Sequence, residues 1–575
     1  MPNTREKSPA SHERVLKDSR LNVSVDDVEL ADIYSLMIIH LNLTETVKNS
    51  KFSFGFSTNY PYTFHVAQAL EVMKDMKIAV EFGSTSTSIS YSIQNEEYGR
   101  KLINRFYVGN LLHSPADRTR SEPKDGVLLQ PTPKGVAILN SFCDRIGIDK
   151  SKYPDIIFSN FNSMHLIKLV RESGGHGKIL YSKYFIYLLF ICMMGNSPHI
   201  WSPNDKPPTF QLKITRNDSI NTTATTEESI QSYASRLKRE NSHLQGGVPF
   251  KTQQSQTESK LYNYPLYHRY FTNPESDSHI HYFTCSKGVR VFKSREFRHA
   301  DKTINVSYCF SGKAIKQWLC DCTDVLNPRY ATSFADLMLR MRLIEPIIYS
   351  KANFETFSSD RDAFYQMSAL GIQVCHWEKQ VQSDSEDLTA NSNSSVETLV
   401  PRRDCSSIGL AVIMRDPGLR YLFKEHLESE FCTENYQVYC LLKEFASKVK
   451  SYNKLLTIHE TSPNLKSQLK SMGESCLSLA FHIYVIFLAP DSPSLLNINF
   501  EMRNRVTELL VTNEPSLQSN PKKHLNEIEE VFDSIGAHIY RLMEVDTLPK
   551  FLNGKIFQDA MLTIDIRQFD NDELN

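Results

Sequence analysis

The chain of 575 residues lacks net charge: 65 Lys+Arg against 66 Asp+Glu leave a formal −1, which excludes a protein working mainly as a basic nucleic-acid coat. It lacks an apolar segment at its start, where MPNTREKSPASHERVLKDSR is polar throughout, unlike a secretory signal. It also lacks a long hydrophobic run. The two greasiest stretches, 184–194 and 476–489, fall short of the ~20 residues that span a bilayer, and the second carries His482. Both are expected to be buried core helices of a soluble chain. No CxxC pair occurs among the 11 cysteines, an odd number without a regular framework. Reduced thiols in a cytosolic setting are therefore expected, with the sequons at Asn22, Asn42, Asn217, Asn221 and Asn305 unglycosylated. No short-period repeat is visible.

What is present is enough apolar material, 41% with 11% aromatic, to build real cores, so wholesale disorder is excluded. At ~150 residues per domain, roughly four units are expected. The charge is uneven. From Gly409 onward 17 Lys+Arg face 23 Asp+Glu, a net −6, while the rest holds 48 against 43, a net +5. That permits a modest attraction of the N-terminal part to anionic surfaces and nothing stronger.

Composition breaks twice, at 203–260, rich in Asn, Thr, Ser and Gln, and at 380–404, QVQSDSEDLTANSNSSVETLVPRRD. The expected organisation is a disordered tail 1–27, a first block 28–202, a polar connector 203–260, a middle block 261–379, a linker 380–404, a C-terminal block 405–553 and a tail 554–575. The linker implies that the C-terminal block is mechanically independent.

In the first block Val66, Ala69, Leu70 and Met73 share one helical face, and Leu102, Ile103 and Phe106 share another. A strand over 126–130 is ended by Pro131 and Pro133 before a helix over 134–143. The middle block repeats the outline, with stripes Ala314–Ile315–Trp318–Leu319 and Leu337–Met338–Met341, then the apolar run 343–349. Helices with a small β element of this size outline a winged helix. The C-terminal block is almost all helix, with stripes Leu419–Leu422–Phe423–His426, Val438–Leu441–Leu442–Phe445 and Ile535–Ile539–Leu542–Met543. These predict a helical bundle.

Catalytic motifs are scarce. The run 174–178, GGHGK, fails the phosphate-loop pattern, because Lys178 precedes Ile179 and Glu172 stands where the first Gly belongs. His279, His281 and Cys285 lack the paired spacing of a metal site. Cys320 and Cys322 read as buried thiols. Arg100, Lys101 and Arg105 put positive charge on one helix, but Glu96, Glu97 and Asp117 dilute it below the footprint of a DNA reader.

The C-terminal block is more specific. DPGLRYLFKEHLESEFCTENYQVY (416–439), centred on Leu427–Glu430 and Glu434–Asn435, resembles the opening of the RGS domain, and LMEVDTLPKFL (542–552) resembles its close. FSGKAIKQWL (310–319) through LMLRMRLI (337–344) resembles a DEP domain, itself a winged helix. GRKLINRF (99–106) and LLQPTPKG (128–135) are similar to a second, divergent DEP domain. The layout is that of the fungal regulators that desensitise cells to mating pheromone, and the likeness extends to FSNFNSM (158–164) and WSP (201–203). The implied fold is multidomain and mainly α, two α+β winged-helix DEP domains followed by an all-α RGS bundle.

The resemblance implies a GTPase activator of a heterotrimeric Gα subunit, not an enzyme with an active site of its own. Asn435 would contact the switch region near the catalytic glutamine of Gα, flanked by Glu430, Glu434 and Asn497. Leu542, Asp546, Thr547 and Lys550 would supply the rest of the face. Thr547 stands where serine is usual and Lys550 where arginine is usual, which removes a planar fork suited to bidentate pairing. Residues 512–526 look like an enlarged loop. GTP and Mg²⁺ would belong to Gα, so the chain itself needs no cofactor or metal. The DEP region would bring a cytoplasmic protein to the plasma membrane, through a pheromone receptor's tail or anionic lipid. Read without the resemblance, Asn435 is a candidate cap for a helix over 436–445, Asp546 a candidate cap for the next, and Leu542 a core residue. The alternative function is a scaffold that binds partners without accelerating hydrolysis; retention of Asn435, Glu430 and Asp546 argues against it.

Overall fold

The computed structural model describes residues 11–16, 25–45, 60–82, 85–115, 122–159, 161, 164–172, 178–200, 288–299, 302–348, 350–360, 362–378, 408–461, 466–490, 492, 494–512 and 521–563. They fall within one unit, 1–207 with 264–575; the other, 208–263, lies outside them, as do both connectors, His279, His281 and Cys285.

In the first block, α1 (Asp27–Leu41) is capped by Asp26 and ends at Asn42 with a left-handed φ of 44°. It packs with α2 (Val66–Met73), α3 (Glu96–Val108) and α4 (Pro133–Ile146), whose entry is set by the Thr132 cap and Pro133. The expected stripes of α2 and α3 are buried throughout. Strands Phe64–His65 (β2), Leu112–His113 (β5) and Leu128–Pro131 (β6) form one sheet in the order β2-β6-β5. A second sheet, not anticipated, pairs Met76–Phe82 (β3) with Thr85–Tyr91 (β4), and Ser11–Leu16 (β1) joins β4 in parallel from the stretch expected to be a disordered tail. After a strap of chain at 164–172 comes α5 (Lys183–Met194), apolar on all sides and buried on nearly all of them.

The middle block opens on a long hairpin that the sequence pattern did not anticipate, Arg290–His299 (β8), half of it charged, and Lys302–Ser311 (β9). Its sheet runs β10-β11-β9-β8-β7, with Ile344–Pro346 as β10, Phe364–Met367 as β11 and His199–Ile200 of the first block as β7. Helices α6 (Gly312–Cys322), α7 (Pro328–Arg340) and α8 (Ala369–Val374) follow the winged-helix outline. The stripe of α7 is corrected. Ala331, Phe334, Ala335 and Met338 turn inward, whereas Leu337 is half-buried and Met341 is the residue that ends the helix. The two winged blocks share a polar seam. Lys134 Nζ, fully buried, donates to the Cys320 and Val325 carbonyls at 2.5 Å each, and Asn110 donates to Asp321 at 2.6 Å. Burial pushes the Asp321 carboxyl up to about 6 and pulls the Lys134 ammonium below its usual value.

The C-terminal block is a bundle of α9 (Leu410–Arg415), α10 (Pro417–Ser429), α11 (Glu434–Thr461), α12 (Lys466–Ile483), α13 (Phe500–Thr507), α14 (Pro521–Leu542), α15 (Leu548–Asn553) and α16 (Lys555–Thr563). The last lies beyond residue 553, where the sequence reading ended the domain. Residues 521–526 belong to α14 and not to the expected loop, because Pro521 starts that helix. The greasy run at 476–489 extends into a longer helix. Gln468–Leu488 is long and apolar enough to cross a membrane, yet 56% of that window is buried, and α12 packs on α11 and α14.

The expected mechanical independence does not hold. Gly418 on α10 sits so close to α5 that a Cβ there would lie 2.7 Å from Tyr184 Cδ1, and Phe185 meets Tyr421 edge-on at 6.3 Å. Tyr184 also reaches Met561 of α16. The apolar surface of α5 is what the linker left out of account: it is shared between Phe334 of the middle block and Tyr421 of the bundle.

Candidate functional site

The first signature occupies the corner between α10 and α11. Glu430 closes α10, its N–H donating to the His426 carbonyl at 3.0 Å, and its side chain is exposed. Phe431 turns the chain with φ +55°, a conformation uncommon outside glycine, and leaves its ring 67% exposed. Cys432 N–H then donates back to the Leu427 carbonyl at 3.1 Å. The first turn of α11 begins at Glu434, and Thr433 stands before it, its carbonyl accepting from Gln437 N–H at 2.9 Å. Asn435 therefore lies inside the helix and is not its cap, so that reading fails. Its amide makes no side-chain hydrogen bond with another described residue and is half-buried.

The second signature begins where α14 passes into a π-helical turn, Met543–Thr547, and then into α15. Such turns are rare and concentrate at functional sites. This one turns Met543 inward and puts Val545 (69% exposed) and Asp546 outside. Asp546 caps nothing; its carboxylate pairs with Lys550 at 2.8 Å, which holds the lysine above its usual pKa, with Cys432 and Glu430 adding smaller contributions. Thr547, at 7% exposure, has little surface to offer of those expected in the face. Leu542, on the last turn of α14, is half-buried.

Beneath these loops an aromatic cluster joins the two signatures. The Phe551 ring of α15 packs on Phe423 (5.2 Å) and His426 (5.6 Å) of α10 and on Phe557 (4.8 Å) of α16, and Phe423 meets Tyr436 of α11 at 6.2 Å. Burial lowers the His426 pKa, Glu430 opposes that shift and Lys550 reinforces it. Burial raises the Cys432 thiol, with Glu434, Glu430 and Asp546 close enough to add to the shift. Residues 430–435 and 546–550 thus share one end of the bundle.

Asn497 reaches this end by a third route. Its side chain is exposed, and its carbonyl is hydrogen-bonded by His538 of α14 at 3.3 Å, one turn before Leu542. Leu496 is buried, and Asn499 caps α13 by accepting from Met502 N–H at 2.8 Å. Periodicity could not single out the exposed Phe431, Val545 and Leu495, since it reports only what is buried. Among the described residues no group of three or more His, Cys, Asp or Glu could hold a metal ion.

Residues 409–560 match the family model of the Regulator of G protein signaling domain. The bundle is an RGS domain. Residues 293–367 match the DEP domain, "Domain found in Dishevelled, Egl-10, and Pleckstrin". The first block, expected as a second DEP domain, instead matches the Fungal-differentiation regulator winged helix domain over 29–159. The chain thus carries a match to an RGS domain and a match to a DEP domain. It is similar to the developmental regulator flbA of Emericella nidulans, 24% identical over 562 residues, 95% of this chain and 64% of that protein. It is also similar to Regulator of G-protein signaling 1 of Schizosaccharomyces pombe, 25% identical over 43% of this chain and 46% of that one. Regulator of G-protein signaling 7 of Bos taurus is 23% identical over 27% of the chain and 25% of its own length. The chain thus spans less than two thirds of these relatives.

Proposed function

We propose that this protein accelerates GTP hydrolysis on a heterotrimeric Gα subunit and so terminates receptor signalling. Gα already carries its arginine, its Mg²⁺ and the glutamine that orients the attacking water. A partner that binds the switch loops more tightly in the transition-state arrangement than in the ground state lowers the barrier without donating a group of its own. Each ~1.4 kcal/mol of that preference is worth tenfold in rate. The observation that carries this reading is the meeting of both signatures at one end of the bundle, with the Asn435 amide making no hydrogen bond with another described residue. Asn435 would grip the switch segment beside the catalytic glutamine, with Glu430, Glu434 and Asn497 around it. Asp546, Lys550, Leu542 and the edge of Thr547 would complete the face. GTP and Mg²⁺ arrive with Gα.

The winged-helix blocks would recruit the cytoplasmic protein to the plasma membrane, through the tail of a G-protein-coupled receptor, here assigned to pheromone, or through anionic lipid. Exposed Lys293, Arg298 and Lys302 on the β8–β9 arm support the lipid route. The test is single-turnover GTP hydrolysis on a fungal Gα with the full chain, because a 405–552 fragment would lack α16 and uncover the α10 surface that α5 buries. The expected result is acceleration whose half-saturating concentration Asn435→Ala raises by about 30-fold or more. Binding to Gα without acceleration would favour the scaffold.

A further inference from the structure

The first block holds α10 along its whole length. At the first turn α5 packs so closely that Gly418 has no room for a Cβ. Along the last turns the strap at 164–172 runs beside the helix, with His165 Nε2 3.2 Å from Glu425 and Lys168 Nζ 3.4 Å from Glu428. Glu430 stands two residues beyond. The other side of this strap is fixed by the DEP domain, at the corner between α6 and α7. Ile167 N–H donates to the Cys322 carbonyl at 2.9 Å, and Asp324 N–H donates to the Ile167 carbonyl at 3.1 Å. The Asp324 carboxylate accepts from Leu169 N–H at 3.0 Å and from Arg171 Nη1 at 2.7 Å. A single extended segment therefore touches both the DEP corner and the helix that ends in the 430–435 loop.

We propose that the strap is a positioning element, which links the DEP corner at Asp324 to the docking loop and sets how firmly that loop is held. The chain between α10 and α11 is fastened to the end of α10 by backbone bonds from Glu430, Phe431 and Cys432 to the His426, Glu428 and Leu427 carbonyls, so what holds the last turns of α10 also holds the loop. Lys168 and Asp324 are thus positioning residues that lie outside the RGS domain and touch no nucleotide. The functional half of this inference, that a looser loop fits Gα less well, rests on the GTPase-activation reading above.

Hydrogen–deuterium exchange on the full chain tests the positioning directly, by comparing amides of 428–438 with a control segment at 532–540 in α14. Asp324→Ala is expected to speed exchange in 428–438 by about fivefold and Lys168→Glu by about threefold, with the control unchanged. The charge swap Lys168→Glu with Glu428→Lys should return the rate to within about twofold of the parent. In the hydrolysis assay the same single variants should raise the half-saturating concentration and leave the maximal rate intact. No rise in 428–438 in either variant, or an equal rise in the control in both, overturns the proposal. If exchange responds as expected while the parent chain accelerates no Gα, the positioning stands and the GTPase reading fails.

Discussion

At its first turn α10 carries Asp416, Pro417 and Gly418. Asp416 is buried and accepts from Gly418 and Leu419 N–H at 2.8 and 2.9 Å, and the glycine is pressed against α5. At its last turn the same helix carries Ser429 and Glu430 and runs into Phe431, all exposed, followed by Asn435, whose amide makes no hydrogen bond with another described residue. The first end is satisfied within the protein; at the second, Ser429 Oγ donates to the His426 carbonyl at 2.7 Å, but the Glu430 carboxylate and the Asn435 amide make no hydrogen bond with another described residue. Satisfied, buried groups are costly to change for stability, whereas exposed groups without internal partners cost little stability and are available to a partner. The two ends should therefore fail in opposite ways when altered.

The largest effect is expected at the open end. Asn435→Ala should raise the half-saturating concentration in the Gα assay by about 30-fold or more, as a central contact residue does, with the melting temperature unchanged. A melting temperature that falls with activity would move Asn435 to the structural side of the comparison. At the closed end, Gly418→Ala should cost about 1–3 kcal/mol of stability by overpacking against Tyr184, seen as a lowered melting temperature of the full chain. An unchanged melt would mean that α5 and α10 do not touch in solution.

A smaller effect comes from His426, between the two ends. Its folded pKa is depressed, so folding favours the neutral ring; the stability this provides is present above the unfolded value of about 6.5 and is lost as pH falls through the folded pKa. His426→Gln should therefore narrow the stability difference between pH 7.5 and 5.5 measured by urea denaturation. An undiminished difference would show that His426 is not among the groups responsible. The smallest effect belongs to Lys550. Its pair with Asp546 is exposed, so Lys550→Ala should leave the urea midpoint unchanged in the same denaturation experiment.

Much of this was readable from the chain itself. Val66, Ala69, Leu70 and Met73, or Leu419, Leu422 and Phe423, announce their helices because periodic burial is a local property. In the β8–β9 arm five of the ten residues of β8 are Lys, Arg or Glu, which hides its strand pattern, whereas β9 does carry a period-two alternation in Ile304, Val306, Tyr308 and Phe310. The apolar surface of α5 told of burial on every side without saying against what. The partners of His165 and Lys168 lie 260 residues away, a distance that no spacing rule crosses. At the site, the two signatures were legible as motifs, but the place of Asn435 inside α11, the burial of Thr547 and the exposure of Phe431 depend on where the chain turns.

The most direct measurement is the affinity of the full chain for a fungal Gα loaded with GDP, alone and with aluminium fluoride, which completes a transition-state mimic. The account predicts about a hundredfold tighter binding to the mimic, since the gain in rate must come from that difference. Equal affinity for the two forms would contradict it.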